Sequence, residues 1–230
     1  MKRFWTKVAL REVAAGWGIA LDDRLLKTPA RETLVVGAHP LAEAIADEWR
    51  ACGEEIDPRS MPLTGLANAA IDHVAPAPER FADDLAQYAE GDLLCYRAEH
   101  PPKLVAAQAA AWNPLLDWAR QRFDTEFVVT AGIVHVEQPQ PTVARLAAAL
   151  ASMTPFELAA LSPIVTIGGS LVAALALCER AIDLDTAWNA VTIDDRWQIE
   201  QWGADDEAVA SLAYRRQEFD AAARFLSLLH

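Results

Sequence analysis

Apolar and polar residues follow two different periods along this chain, and the change falls near residue 39. Before it, residues 4–13 are rich in β-branched and aromatic side chains, and Trp17, Ile19 and Leu21 alternate with smaller residues. That is the period of a strand buried on one face. Asp22 and Asp23 mark a turn, so residues 24–28 are expected to return as the second arm of a hairpin. Pro29 ends that arm, because proline has no N–H to give to a ladder. Residues 33–36 form a further short strand candidate.

From His39 and Pro40 onward the period becomes helical. Proline suits a first helical turn, where its missing N–H would be unpaired anyway. Leu41, Ala44, Ile45 and Trp49 then share a face, and a second helix carries Leu63, Leu66, Ala67, Ala70, Ile71 and Val74. Past Pro76 and Pro78 the spacing of Phe81, Leu85 and Tyr88 is helical again. Residues 93–96 are short, apolar and ambiguous in period. Pro101 and Pro102 open a long helix with Leu104, Trp112, Leu115, Leu116, Ala119 and Phe123 in a stripe, and Pro114 inside it is a potential kink. Residues 126–136 read as strand, or as a hairpin turned at Ala131 and Gly132. Helices are predicted over 142–152, 155–161, 163–181, 185–203 and 205–229. The expected fold class is α+β, with a small N-terminal β-rich part (1–75, antiparallel strands) and a larger, mainly helical part (76–230).

One stretch raises a membrane question. Residues 158–178 contain no charged side chain, enough length to cross a bilayer. Ser162, Pro163, Thr166, Gly168, Gly169 and Ser170 interrupt it, and no aromatic anchors flank it. It reads as a buried central helix instead.

Composition narrows the function. Hydrophobic residues make up 53% of the 230, ample for a core, and 33 acidic against 20 basic residues give a net charge of −13. That sign opposes nucleic-acid backbones and anionic membrane surfaces, and suits a protein partner. Cys52, Cys95 and Cys178 are far apart and odd in number, as expected of buried thiols in a reducing compartment. The N-terminus lacks the apolar core of a signal peptide and the Ser-rich character of a transit segment, so the chain is expected to work where it is made.

The chemistry-bearing residues do not assemble into a catalytic pattern. His39, His73, His100, His135 and His230 form no i,i+4 pair and no HExxH, so no metal is expected. There is no GxSxG, and Gly168-Gly169-Ser170 lies in an apolar run where small residues serve close packing. No cofactor loop is recognisable. The acidic pairs at 83–84, 194–195 and 205–206 are adjacent on predicted helices and point in different directions, while residues 205–207 suit a helix N-terminus. In the segment 90–97, Arg97 is expected to pair with Asp92 or another acid, as a structural network or part of a partner site.

The most distinctive run is WQIEQWG (197–203). Large aromatic faces with a polar N–H belong in cores or interfaces. Asp194 lies one helical turn before Trp197, so Asp194, Trp197, Glu200 and Trp202 are the candidate partner-binding residues. A solvated helix face accounts for Asp194 equally well.

Several blocks, taken in order, resemble one family. They are LKTPAR (26–31), GEEIDPRSMPLTGLANAAID (53–72), YAEGDLLCYRAE (88–99), AAWNPLLDW (110–118), GGSLVAALAL (168–177) and WQIEQWG (197–203). Together they are similar to the F-type ATP synthase assembly chaperones that act on the alpha subunit. The resemblance implies a chaperone, not an enzyme, which holds free alpha subunit and shields its beta-facing surface without nucleotide. It also implies a functional acidic position at Asp194, with Asp where Glu is more usual. Eukaryotic members work in the mitochondrial matrix behind a leader, so a monomeric member of the bacterial cytoplasm is expected. The competing reading is a small hydrolase or lyase with a carboxylate-based site in a cleft between the two parts. It predicts converging polar groups in a closed pocket, whereas a chaperone predicts an open surface with apolar patches.

Overall fold

The first regular element is a hairpin of two six-residue strands, β1 (Val8–Val13) and β2 (Gly16–Leu21). The computed structural model describes residues 2–203 and 205–230. β2 is the hub of the sheet, pairing antiparallel with β1, β3 (Arg24–Leu25) and β4 (Val35–Val36). Gly16 has φ +131°, and a Cβ there would lie 2.4 Å from the Val36 carbonyl oxygen, so no larger residue fits. The predicted turn at Asp22 and Asp23 forms. Asp22 adopts φ 54°, and its Oδ1 accepts the N–H groups of Thr6 and Lys7 and the Thr6 hydroxyl at 2.9–3.0 Å. Those bonds hold its carboxyl below the usual carboxylate range.

Two units emerge from the contacts. The first comprises Met1–Pro78, Thr154–Ala160 and Ala221–His230, and the second Glu79–Met153 and Leu161–Asp220. In the first, helix α1 (His39–Ala51) packs on β1 and β2, burying Leu41, Ile45 and Trp49. The start of α2 (Pro62–Ala69) is capped from α1: Glu48 accepts the N–H groups of Leu63 and Thr64 at 2.8 Å each and the Thr64 hydroxyl at 2.6 Å. Burial nevertheless pushes its carboxyl up. The later segments add buried Leu158, Phe225 and Leu226 to this unit, and Phe156 stacks on Phe225 at 6.3 Å.

The remaining helices are α3 (Pro78–Ala86), α4 (Pro102–Phe123), α5 (Gln140–Ala151), α6 (Pro155–Gly168), α7 (Leu171–Cys178), α8 (Leu184–Val191), α9 (Ile193–Trp202) and α10 (Asp206–Leu229). Helix α7 is apolar on every side, with residues 171–176 all buried, and it packs against α4 and α8. Among the described residues no helix is long and apolar enough to cross a membrane.

Three expected elements, and one expected ion pair, need correction. The single helix over 163–181 is instead α6, which passes through Pro163, and α7; the break falls at Gly169 (φ +68°) and Ser170. Ser170 stops the run because its hydroxyl accepts the Ala173 N–H at 3.0 Å and caps α7. The helix over 185–203 divides at Thr192, whose hydroxyl donates to the Trp188 carbonyl at 2.7 Å. Residues 126–136 make no hairpin. Only β6 (Thr130–Ala131) is strand, paired parallel with β5 (Tyr96–Arg97). The Gln138 side chain takes the place of a strand partner, accepting from the Val128 N–H at 2.9 Å and donating to its carbonyl at 3.0 Å.

Asp92 joins the second unit together. It is fully buried, and its two oxygens accept the N–H groups of Leu94 and Val172 at 3.0 Å each. The adjoining Leu93 N–H donates to the Gly169 carbonyl at 2.9 Å. Among the described residues Arg97 pairs with neither Asp92 nor another carboxylate. Its guanidinium donates to the Leu94 carbonyl and to Asn113 at 3.0 Å each, and lies 5.0 Å from the Trp112 ring centroid.

Replacing Leu171 by Asp would place an unpaired charge in the apolar centre. It is expected to remove about 4 kcal/mol or more and to abolish the cooperative thermal transition; a wild-type melting curve would refute the central role of α7. Asp92 makes a second, pH-resolved prediction. Burial raises its carboxyl from 3.8 to about 6, so the folded chain holds that proton more tightly than the unfolded chain. The associated stabilisation is complete below about pH 4 and is lost as pH rises through about 6, amounting to about 3 kcal/mol. In Asp92→Asn the amide NH2 would meet a backbone N–H, leaving wild type more stable at pH 4 by about 1–3 kcal/mol. Urea melts should show that margin narrowing between pH 4 and pH 7, and a constant margin would contradict it.

Candidate partner-binding site

Helices α4, α8 and α9 build the site within the second unit. Asp183 starts α8 by accepting the Thr186 N–H at 2.7 Å; the Thr186 hydroxyl, and then this N–H, hold its carboxyl low. The Trp112 indole on α4 donates to the Ala190 carbonyl at 2.7 Å, fastening α8 to α4. At Thr192 the chain turns into α9, which has no buried residue and therefore lies at the surface.

Asp194 is half-buried and faces a partner within the fold. Its Oδ1 accepts from Gln108 Nε2 at 2.7 Å, and Gln108 Oε1 accepts the Ala98 N–H at 2.8 Å. Burial pushes the Asp194 carboxyl up; the Gln108 bond opposes this, and neighbouring Asp195 adds to it. Asp195 pairs with Arg215 at 3.2 Å, and Arg215 also donates to the Ile167 carbonyl at 3.2 Å.

Trp197 and Glu200 line an open, mainly apolar groove of about 540 Å³. Its opposite wall is Ala107, Ala110, Ala111 and Pro114 of α4, at i, i+3, i+4 and i+7, one face of a helix. Pro114 cannot donate, so the Ala110 carbonyl loses its usual helical partner in that wall. Asp194 is not in the lining. Trp202 is 79% exposed and borders a separate recess of about 340 Å³ with Gln198, Ile199 and Leu212. The structure thus brings Trp197 and Glu200 together, holds Asp194 behind them through Gln108, and sets Trp202 apart. Sequence reasoning missed Gln108 and the alanine wall; the signal for the wall was the regular spacing of small residues on α4.

Other candidates are structural. Asp205 accepts the Glu207 N–H at 3.3 Å near the start of α10, and Asp84 lies 4.0 Å from Arg80. Among the described residues no three His, Cys, Asp or Glu side chains could hold a metal ion.

Comparison with known proteins places this architecture. Residues 2–120 match the family described as ATP12 chaperone protein. The chain belongs to the ATP12 chaperone family. This is a family of ATP synthase assembly chaperones rather than enzymes, which sets aside the hydrolase or lyase reading. The chain is 26% identical over 219 residues to "Protein atp12, mitochondrial" of Schizosaccharomyces pombe, covering 90% of this chain and 75% of that one. The crystal structure of Atp12 from Paracoccus denitrificans is 42% identical, with a TM-score of 0.95 over 100% of this chain and 98% of its own. An aspartate-to-lysine mutant of the Paracoccus protein superimposes with the same TM-score at 41% identity. A chaperone-like protein of Agrobacterium tumefaciens is 38% identical, with a TM-score of 0.94 over 100% of this chain and 86% of that one. The family match ends at residue 120, before α8 and α9, whereas the structural likeness of this ATP12-family chain extends over its whole length.

Gln108→Leu would leave the Ala98 N–H and the Asp194 carboxylate unpartnered. A loss of about 2 kcal/mol is expected in chemical denaturation, with the Asp194 carboxyl moving further up. An unchanged midpoint would mean that water replaces the glutamine.

Proposed function

We propose that this chain binds the unassembled alpha subunit of F-type ATP synthase and shields its beta-facing surface until the two subunits pair. The observation that supports this reading is the open apolar groove bordered by Trp197 and Glu200 in a member of the ATP12 family. A subunit awaiting its neighbour exposes an apolar interface, and an open groove with an indole at its edge covers such a surface without enclosing it. Asp194, Trp197, Glu200 and Trp202 are the proposed contact residues. Asp194 acts from the position in which Gln108 holds it, and Glu200 and Trp202 act from solvent. The carboxylates and the net charge of −13 favour a basic rim on the partner. The proposed setting is the bacterial cytoplasm, with the chain a monomer and no cofactor taking part.

Titration against isolated alpha subunit and against assembled alpha–beta hexamer tests the reading: free alpha is expected to bind and the hexamer is not. Equal recovery of both would count against shielding. Trp202→Ala and Glu200→Lys alter exposed side chains, so both should keep the wild-type melting temperature. Trp202→Ala is expected to weaken alpha binding by about 2 kcal/mol, the size of an interface hot spot. Asp194→Lys should weaken binding and also lower stability through loss of the Gln108 bond, whereas Asp205→Lys should do neither. Wild-type affinity in Trp202→Ala, Glu200→Lys and Asp194→Lys alike would remove α9 from the interface.

A further inference from the structure

The first unit carries a separate recess that the alpha-subunit reading does not use. It is an open cavity of about 730 Å³, within the range of binding pockets. Phe4, Leu25, Trp49 and Ile56 give it apolar walls, and Arg24 and Lys27 line it too. Phe4 is 64% exposed, a large apolar face left open to solvent.

Charge and polarity indicate what fits there. Arg11 is neutralised by Asp23 at 2.9 Å, yet neither Arg24 nor Lys27 has a carboxylate partner among the described residues. Residues 2–36 hold seven basic and four acidic side chains in a chain whose net charge is −13. The rest of the stretch that forms the lining, residues 37–68, holds six acidic and two basic side chains, so the attraction for an anion comes from Arg24 and Lys27 themselves. Two polar atoms of its lining residues are shielded from water and unpartnered: the Trp49 indole N–H and the Asn68 amide oxygen. One is a donor and the other an acceptor. A peptide that opened the wall would supply the complement of both, a C=O and an N–H, whereas an ionised fatty acid supplies no donor.

We propose that this recess binds an extended apolar peptide segment with acidic flanks, of the kind an unfolded client chain presents. The apolar side chains fill the walls, and the flanking carboxylates meet Arg24 and Lys27.

Fluorescence anisotropy with the full chain tests this. The probe is a labelled eight-residue peptide with a Leu/Val centre and two Asp at each end, compared with the same centre flanked by Lys. The Asp-flanked peptide is expected to bind at least 10-fold more tightly. Gly65 lines the recess, and a Cβ there meets nothing within 4 Å, so Gly65→Phe should fill the space without a clash. It is expected to weaken the peptide at least 10-fold at an unchanged melting temperature. The surface double variant Arg24→Glu/Lys27→Glu should invert the flank preference, and it decides the matter if Gly65→Phe misfolds. Equal affinity for the two peptides, no binding of either, or no inversion in the double variant would overturn the proposal. So would stoichiometric oleate binding without peptide binding, which would make the recess a lipid site. The peptides carry no alpha-subunit sequence, so failure here leaves the alpha-subunit reading untouched.

Discussion

The carboxyl group of Asp92 is the interaction on which the second unit depends. The apolar helix α7 has only the Ser170 hydroxyl at its start to satisfy its first N–H groups, and burial denies the others water. Asp92 brings an acceptor to that end from a distant loop, spending one oxygen on Val172 and the other on Leu94. Together with the Leu93 to Gly169 bond, it fastens the loop to the start of α7. The buried group is costly to ionise, which is why its carboxyl rises to about 6. Removing its partners would cost more, because orphaned backbone groups in a dry interior carry the full desolvation penalty.

From α7 the consequences run outward. The helix packs against α4 and α8, and the Trp112 to Ala190 bond keeps α8 in place on α4. Thr192 then turns the chain into α9, so the direction of Trp197 and Glu200 follows from contacts several residues away. Small residues on α4 leave the opposite wall shallow. Such a wall offers modest apolar area, and Glu200 and Arg196 put charge beside it. A shallow groove with a polar edge suits an assembly chaperone, which must release its subunit when a better partner arrives.

Polar side chains that bond backbone at long range recur through the fold. Glu48 caps α2, Gln138 stands in for a strand opposite Val128, and Gln108 ties Ala98 to Asp194. Each satisfies groups that local secondary structure leaves open. Gln108 also changes what Asp194 can do: a carboxylate already accepting a bond from a buried amide is held in one orientation, and its charge is felt at the surface from a fixed position.

Periodicity, turn chemistry and the ordered sequence blocks by themselves determined the α+β class, the Asp22 turn, the helix beginning at His39, the apolar centre of 171–176 and the chaperone family. These are legible because they follow from local sterics and from burial patterns that repeat every two or 3.6 residues. Tertiary structure alone decided the rest. Pro163 is carried through α6 because a proline removes one helical bond while the flanking apolar residues stay buried, whereas Ser170 and Thr192 end helices through hydroxyl bonds whose outcome depends on context. The strand-like residues 126–136 have no neighbouring strand to pair with beyond two residues, so β-propensity alone could not make a hairpin. The segments 154–160 and 221–230 join the first unit from far along the chain, and Asp194 finds Gln108 across 86 positions. Contacts of that separation leave no period in the sequence, since they are chosen by how finished elements pack and by which buried polar groups still lack a partner.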